Sequence, residues 1–116
     1  MESIQASKEF MFGADLPWEE VGPGLKRQIM GYDGKIMMVK VKFEAGGIGQ
    51  KHKHHHSQVT YVESGEFEMS IGEDVKTLRA GDAFYIPPHV MHGCVCTKDG
   101  VLLDVFSPHR EDFLAE

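Results

Sequence analysis

Residues 46–65 read GGIGQKHKHHHSQVTYVESG and hold four histidines within five positions, at 52, 54, 55 and 56. The run is internal and continues directly into the strand-like segment QVTYV, whereas an engineered purification tag is usually terminal and flanked by linker residues. Alternate side chains of an extended segment share a face, so this segment is predicted to present several metal-binding donors on one side. His55 points to the other side, and the shared face carries His52, His54, His56 and Gln58.

The run alone leaves the chemistry of this face open. Imidazole is the commonest protein ligand for divalent metals of intermediate softness. Two histidines at i and i+2 hold one ion only if the strand faces a cavity and a further ligand comes from elsewhere. The sequence offers three candidates for that ligand: His89, His92 and His109. The alternative is a solvated basic loop after the Gly46-Gly47 turn, which binds metal only adventitiously.

The composition describes one acidic globular domain. A chain of 116 residues suffices for a single hydrophobic core and therefore for a single site. With a formal net charge of −6, the protein is predicted not to bind nucleic acid, because that affinity rests on clustered Lys and Arg. No stretch reaches the roughly 18 apolar residues of a membrane span, and the start MESIQASKEF does not resemble a signal peptide. We therefore expect no membrane partner and a cytoplasmic location.

Turn signals recur about every ten residues, which predicts an all-β sandwich or barrel. Residues 1–116 are expected to form one domain that ends in a short helical turn within HREDFLAE. Residues 1–20 form an arm that is too apolar for a free tail and is expected to pack on the barrel or on a partner through Phe10, Phe12 and Trp18. Turns are predicted at Gly22-Pro23-Gly24, Asp33-Gly34, Gly46-Gly47, Ser64-Gly65, Gly72-Glu73-Asp74, Ala80-Gly81-Asp82, Pro87-Pro88 and Lys98-Asp99-Gly100.

The histidine run and a later segment resemble the two signatures of the cupin superfamily. The first signature, G-x5-H-x-H-x3,4-E-x6-G, is matched in spacing throughout, with a glutamine where glutamate is most frequent: Gly46, His52, His54, Gln58 and Gly65. The second, G-x5-P-x-G-x2-H-x3-N, has His89 in place of the glycine and Cys96 in place of the asparagine, and it matches at Gly81, Pro87 and His92.

The cupin resemblance implies a small double-stranded β-helix, or jelly-roll barrel, around one divalent metal ion. The ion would be Ni, Zn, Mn or Fe, and its implied ligands are His52, His54, Gln58 and His92. His56 falls where cupins do not usually place a ligand, so it is expected either to contact the metal ligands from outside or to line the pocket, while His55 and His89 are expected at the surface. Cupins commonly dimerise, which implies a homodimer.

This ligand set also favours an anionic partner, because three neutral imidazoles and a neutral amide leave both charges of the ion uncompensated. Asp104, which interrupts the apolar run VLLDVF, is a candidate proton carrier: burial would raise its pKa and a nearby cation would lower it. Arg110 is a candidate planar fork for a substrate carboxylate. The alternatives are that Asp104 lies on the outer face or ties down a loop, and that Arg110 forms a surface ion pair with Glu111 or Asp112.

Over nearly its whole length, the chain also resembles one particular family within the cupin superfamily. The segments HHHSQVTYVESGEFEMSIG, RAGDAFYIPPHVMHGC and DVFSPHREDFL are similar to the pectin-degradation protein family KdgF, a set of single-domain cupins. The resemblance implies metal-dependent ring opening of 4,5-unsaturated monouronates, small anionic sugars from pectin or alginate, to a linear 5-keto-4-deoxyuronate. The implied catalytic residues are Asp104 and Arg110, and the implied metal ligands are those of the cupin signatures.

Two other functions are compatible with the same residues. Three histidines also hold iron, so the site suits a cupin dioxygenase that activates O₂. Small barrels also act as non-catalytic sugar-binding modules. Oxygen consumption would distinguish the first of these functions from ring opening, and ligand binding without turnover would distinguish the second.

Overall fold

The regular secondary structure of the chain consists mostly of antiparallel β-strands, which confirms the all-β prediction. The computed structural model describes residues 6–114, in which a short 3-10 turn at Gly13–Asp15 precedes the first strand. The strands and the single α-helix of this part of the chain are β1 Glu19–Gly22, β2 Leu25–Tyr32, β3 Met37–Phe43, β4 Ile48–His52, β5 Ser57–Ile71, β6 Asp74–Arg79, β7 Ala83–Ile86, β8 His92–Ser107 and α1 Glu111–Leu114.

Strands β5 and β8 are long enough to belong to two sheets. The first half of β5 pairs with β7 and with the second half of β8, whereas its second half pairs with β6 and with the first half of β8. The first half of β8 also pairs with β4, and its second half pairs with β3, which leads on to β2 and β1. One sheet therefore has the order β1-β2-β3-β8-β5-β7 and the other β4-β8-β5-β6. Because they share two central strands, they enclose a barrel.

Two glycines let β5 and β8 pass from one sheet to the other. Gly65 has a φ of 84°, and a Cβ at this position would lie 2.5 Å from the Gly100 Cα. A Cβ on Gly100 would in turn collide with the Ser64 carbonyl oxygen, so the close crossing requires glycine at both positions. The turns predicted at Ser64-Gly65 and Lys98-Asp99-Gly100 are wrong, because both segments are corners within continuous strands, with register shifts between them.

The barrel interior contains two apolar clusters with a polar strip between them. Inward-facing Leu102 belongs to the first cluster and Phe106 to the second, and Asp104 lies between them on the same face of β8. On the neighbouring strand β5, Gln58 and Thr60 are buried and face the same interior. The larger cluster contains an edge-to-face aromatic pair with ring centroids 5.1 Å apart and consists of Leu25, Phe43, Val62, Phe67, Cys96 and Leu102. The second cluster consists of Met37, Val39 and Phe106.

The described part of the N-terminal arm lies against β2. The buried Gln28 amide donates to the carbonyl oxygens of Gly13 and Leu16, at 2.7 and 3.1 Å, and the Ser7 amide donates to the Tyr32 carbonyl. Residues 1–5 of the predicted arm lie outside the described residues. Among residues 6–114, no helix has the length and apolar character needed to cross a membrane.

Candidate active site

Three histidines from different parts of the chain converge at one end of the barrel. His52 ends β4 and lies directly opposite His92, which begins β8. His54 follows in the loop between β4 and β5, and one ring nitrogen from each of the three residues lies within 4.8 Å of the others. Among the described residues this is the one cluster of three or more His, Cys, Asp or Glu side chains arranged to hold a metal ion.

The hydrogen bonds of these rings give each histidine the tautomer that binds metals. Nδ1 of His52 donates to the Gln50 carbonyl at 2.8 Å, Nδ1 of His54 to the His56 carbonyl at 3.1 Å, and Nδ1 of His92 to the Val90 carbonyl at 2.9 Å. A carbonyl oxygen only accepts, so the proton lies on Nδ1 in all three rings. Each Nε2 therefore keeps its lone pair for a cation, and the backbone fixes the orientation of each ring.

Burial keeps two of these rings neutral. It lowers the pKa of His92 to about 4, and the nearby His52 and His54 lower it as well. Burial also lowers the pKa of His54, against a hydrogen-bonding contribution from Gln58. Neutral imidazole is the form that coordinates a metal, so protons compete little for these positions near neutral pH.

Gln58 provides a fourth donor and links the histidines to the acid. Its Oε1 lies 3.0 Å from Nε2 of His54, while its amide nitrogen donates to Thr60 Oγ1 at 3.0 Å and to Asp104 Oδ1 at 3.3 Å. With the His54 proton on Nδ1, the 3.0 Å contact joins two lone pairs, an arrangement that a shared cation would satisfy. The donor set of His52, His54, Gln58 and His92 therefore fits a divalent metal ion with nitrogen and oxygen ligands.

Asp104 faces the barrel interior and not the outer surface. It lies opposite Thr60 in the β5–β8 register, and the Thr60 hydroxyl donates to Oδ1 at 2.6 Å. Burial raises the pKa of Asp104 from 3.8 to about 6, although the hydrogen bonds from Thr60 and Gln58 and the charge of Arg110 act in the opposite direction. A carboxyl group with this pKa can both accept and release a proton close to neutral pH.

Arg110 lines the same cavity and also forms the ion pair considered as its alternative. Its Nε and Nη2 donate to the two carboxylate oxygens of Asp112 at 3.0 and 2.9 Å, which uses two of its five N–H groups. Its guanidinium also lies over the rings of Phe113 and Phe106, with Cζ 4.2 and 5.1 Å from the centroids. The cavity has a volume of about 130 Å³, and its polar lining includes His52, Gln58, His92, Asp104 and Arg110.

The prediction that the histidine run is extended, with alternate side chains on one face, is wrong beyond His52. Strand β4 ends there and residues 53–56 form a bend, so His56 is buried but does not join the metal-binding cluster. Of the two places predicted for His56, the structure shows the contact with a candidate ligand: its carbonyl accepts the Nδ1 proton of His54 at 3.1 Å, and the described cavity wall does not include it. His55 and His89 are exposed, as predicted. His89 occupies the glycine position of the second signature with a φ of 65°, and its amide donates to the His54 carbonyl at 2.7 Å.

Sequence reasoning did not single out two residues of the site. Thr60 shares the inward parity of Gln58 and lies opposite Asp104, so strand alternation could have identified it once the register was known. Phe113 supports Arg110 from the C-terminal helix and contacts Phe106 edge-on at 5.8 Å. No sequence pattern marks that contact, because it depends on where the last turn docks.

The fold and the histidine cluster together define a cupin. The cupin domain model, Cupin_2, matches residues 39–106. A crystal structure of an RmlC-like cupin from Shewanella frigidimarina NCIMB 400 superposes with a TM-score of 0.92 and is 50% identical, over 94% of this chain and 98% of that chain.

Two relatives narrow the assignment. The pectin degradation protein KdgF of Dickeya dadantii (strain 3937) is 43% identical over 109 residues, which cover 92% of this chain and 99% of the relative. The structure of KdgF from Halomonas sp. is 38% identical with a TM-score of 0.88, over 92% of this chain and 99% of that chain. The chain belongs to the KdgF family of cupins.

Proposed function

We propose that this protein opens the ring of 4,5-unsaturated monouronates from pectin or alginate to give the linear 5-keto-4-deoxyuronate, with a divalent metal ion held by His52, His54, Gln58 and His92. Similarity to pectin degradation proteins supports a role in polyuronate catabolism. The observation that carries the proposal is the hydrogen-bonded chain from Gln58 through Thr60 to Asp104, which connects the metal donors to a proton carrier inside one cavity.

We assign to Arg110 the role of orienting the substrate. Its charge faces a cavity whose proposed metal ligands are all neutral, so the site is cationic when a divalent ion is bound. The three N–H groups that Asp112 does not use are available to a sugar carboxylate. The rings of Phe106 and Phe113 hold the guanidinium in place, which lowers the entropy cost of binding the anion.

Asp104 is the group that moves protons. When bound, the metal ion would act as a Lewis acid that stabilises negative charge developing on substrate oxygen. Asp104 accepts the proton of the hydroxyl at C1, and the bond between C1 and the ring oxygen breaks to leave an aldehyde at C1. The released electron pair stays on the ring oxygen, which becomes the enolate oxygen at C5. Transfer of the proton held by Asp104 to C4 converts this enolate to the ketone and restores the carboxylate, so the reaction is an isomerisation without oxidant or nucleotide.

The direct test follows loss of the conjugated ultraviolet absorbance of freshly prepared unsaturated galacturonate. Protein made without a tag is stripped with a chelator and reloaded separately with Ni²⁺, Zn²⁺, Mn²⁺ or Fe²⁺. At least one loaded form is expected to exceed the protein-free rate by orders of magnitude without consuming O₂. Equal rates with and without protein for every metal would contradict the enzymatic proposal, and iron-dependent O₂ consumption without action on the sugar would indicate a dioxygenase. If the protein binds the sugar without turning it over, and Asp104→Ala and Arg110→Ala bind it with unchanged affinity, the protein is a binding module.

The metal itself is proposed to be Ni, Zn, Mn or Fe, because neutral histidine nitrogen suits all four ions. Elemental analysis of protein purified without a tag identifies the ion that the protein retains. We expect about one equivalent per chain in the wild type and a large loss in His92→Ala. The cytoplasmic location predicted from the sequence stays a prediction.

We propose that the protein forms a homodimer through the outer face of the larger sheet, which has the order β1-β2-β3-β8-β5-β7. An apolar row crosses four neighbouring strands in register, and three of its members are exposed: Met38, Val59 and Tyr85, with Val105 between them. Tyr61 is exposed on the adjacent row, and Phe10 of the N-terminal arm is 79% exposed. Analytical ultracentrifugation should show a dimer, and Tyr61→Glu with Val59→Glu should give a monomer. A monomeric wild type would contradict the proposal.

A further inference from the structure

His56 is a buried histidine that neither joins the metal-binding cluster nor touches the cavity described above. Its side chain is 4% exposed although it follows His54 by two residues in a histidine-rich bend. Burial of an imidazole costs free energy unless its nitrogen atoms form hydrogen bonds. The contacts of His56 therefore indicate what the fold uses it for.

The residue connects the metal-binding loop to the segment that carries Arg110. Its Nε2 donates to the His109 carbonyl at 3.1 Å, across 53 residues of sequence, and its own carbonyl accepts the Nδ1 proton of His54 at 3.1 Å. One residue thus contacts a metal-binding histidine on one side and the peptide unit immediately before Arg110 on the other.

The ring of His56 has a fixed orientation and a single tautomer. Because a carbonyl oxygen accepts, the hydrogen bond to His109 requires the proton on Nε2. Nδ1 is buried and has no hydrogen-bond partner among residues 6–114, so it does not link His56 to any other described element. The ring lies 3.9 Å from that of His55, centroid to centroid, with the planes tilted by 32°.

The segment that carries Arg110 is also attached to a second part of the fold. His109 Nδ1 donates to the Gly34 carbonyl at 3.2 Å, which ties the segment to the loop between β2 and β3. Arg110 then turns inward onto Phe106 and Phe113. Phe106 also meets the ring of His54 edge-on, with centroids 5.8 Å apart, but the hydrogen bond from His56 is the one of these contacts that holds the backbone before Arg110 to the metal-binding loop.

We propose that His56 is a positioning residue that sets the distance between the metal-binding histidines and Arg110, and thereby the length of anionic sugar that spans them. This inference rests on the proposed function, since it assigns the carboxylate of the sugar to Arg110 and its reacting oxygens to the metal end. Loss of the hydrogen bond to His109 loosens the segment before Arg110 while leaving the ring nitrogens of the ligands untouched.

The kinetic test compares three substitutions in protein loaded with Zn²⁺ or whichever metal gives turnover. His56→Leu fills most of the space but donates no hydrogen bond, His56→Asn places its amide short of the His109 carbonyl, and His56→Gln places an N–H close to the position of Nε2–H. We expect His56→Leu and His56→Asn to raise KM for unsaturated galacturonate about tenfold with kcat within about threefold. His56→Gln should recover most of the affinity, and metal content should match the wild type in all three. If His56→Leu does not fold, the Asn and Gln pair carries the comparison.

A second readout does not depend on turnover. In protein with ¹⁵N-labelled arginine and bound Zn²⁺, His56→Leu and His56→Asn should shift and broaden the Arg110 Nε–H signal, and His56→Gln should restore it. Arg79 provides an internal control, because its Nε donates to Glu66 at 3.0 Å between β5 and β6, away from the segment that carries Arg110. An unchanged Arg110 signal, or loss of metal with unchanged KM, would overturn the inference. If the wild type does not act on unsaturated uronates but the Arg110 signal still depends on residue 56, the proposed function fails while the positioning role stands.

Discussion

Thr60 and Asp104 face each other across β5 and β8, and the Thr60 hydroxyl donates to Asp104 Oδ1 at 2.6 Å. Thr60 is completely buried, and it also accepts a hydrogen bond from Gln58, whose oxygen points to His54. A hydroxyl has one proton, so the direction of this chain is fixed: amide to hydroxyl to carboxylate. The metal donors and the proton carrier are therefore held as one unit.

Replacement of Thr60 with Val should shift the acid limb of the pH profile. The Thr60 hydrogen bond lowers the pKa of Asp104, so its loss raises that pKa further above its ordinary value. Because Asp104 acts first as a base, kcat/KM falls as pH drops through its pKa, and in the variant this fall begins at higher pH. A bound cation lowers the pKa in both proteins without reversing the order. Thr60→Ser keeps the hydroxyl and should keep the wild-type profile, whereas an acid limb at the same pH in Thr60→Val would contradict the role of this hydrogen bond.

Gln58→Glu should weaken substrate binding more than metal binding. A carboxylate at this position compensates one charge of the ion, which reduces the attraction for an anionic sugar. It also lies within hydrogen-bonding distance of Asp104 and repels its charged form. We expect retained metal and a KM for unsaturated galacturonate that is higher by about tenfold. Gln58→Ala, which loses the donor altogether, is the comparison in isothermal titration and steady-state kinetics. A KM in Gln58→Glu equal to that of the wild type would show that ligand neutrality is unimportant.

His92→Ala should weaken metal binding by at least about a hundredfold. His92 is buried within the cluster, and its neutral form is already favoured because burial lowers its pKa to about 4. Added Zn²⁺ should raise the melting temperature of the wild type, since a ligand that binds the native state stabilises it, and should have little effect on the variant. The matched control is His55→Ala, an exposed histidine of the same run. Equal thermal shifts in His92→Ala and the wild type would indicate surface binding of the metal.

His89→Gly should stabilise the protein. His89 has a φ of 65°, a conformation that costs a residue with a Cβ about 1 kcal/mol relative to glycine. Its amide keeps the hydrogen bond to the His54 carbonyl in the variant, because that bond uses the backbone alone. We expect a melting temperature higher by roughly 4 °C in differential scanning calorimetry. His55→Gly, where φ is not positive, should lower the melting temperature, and a decrease in His89→Gly as well would contradict the strain assigned to this turn.

The resemblance of the histidine and glycine spacings to the cupin signatures predicted the cluster, and His52, His54 and His92 do lie close together in the structure. The recurrence of turn signals predicted the all-β fold, because the short strands of a sandwich or barrel are separated by turns at such intervals. The corner at Gly65 and Gly100 was misread as two turns, since a glycine that permits a close crossing looks identical in sequence to one that permits a reversal. The contact between His56 and the His109 carbonyl joins residues far apart in the chain through a backbone atom, so no residue pattern encodes it.

The measurement that tests the central claim most directly compares the wild type with Asp104→Asn on unsaturated galacturonate in D₂O, followed by proton NMR. The wild type should remove the vinylic C4 proton signal without consuming O₂ and yield a 5-keto product that carries deuterium at C4. Asp104→Asn should bind the same amount of metal and lose at least about a hundredfold in kcat. Wild-type turnover equal to the protein-free reaction, or full activity in Asp104→Asn with the metal retained, would contradict the proposal that the metal donors and Asp104 form one ring-opening site.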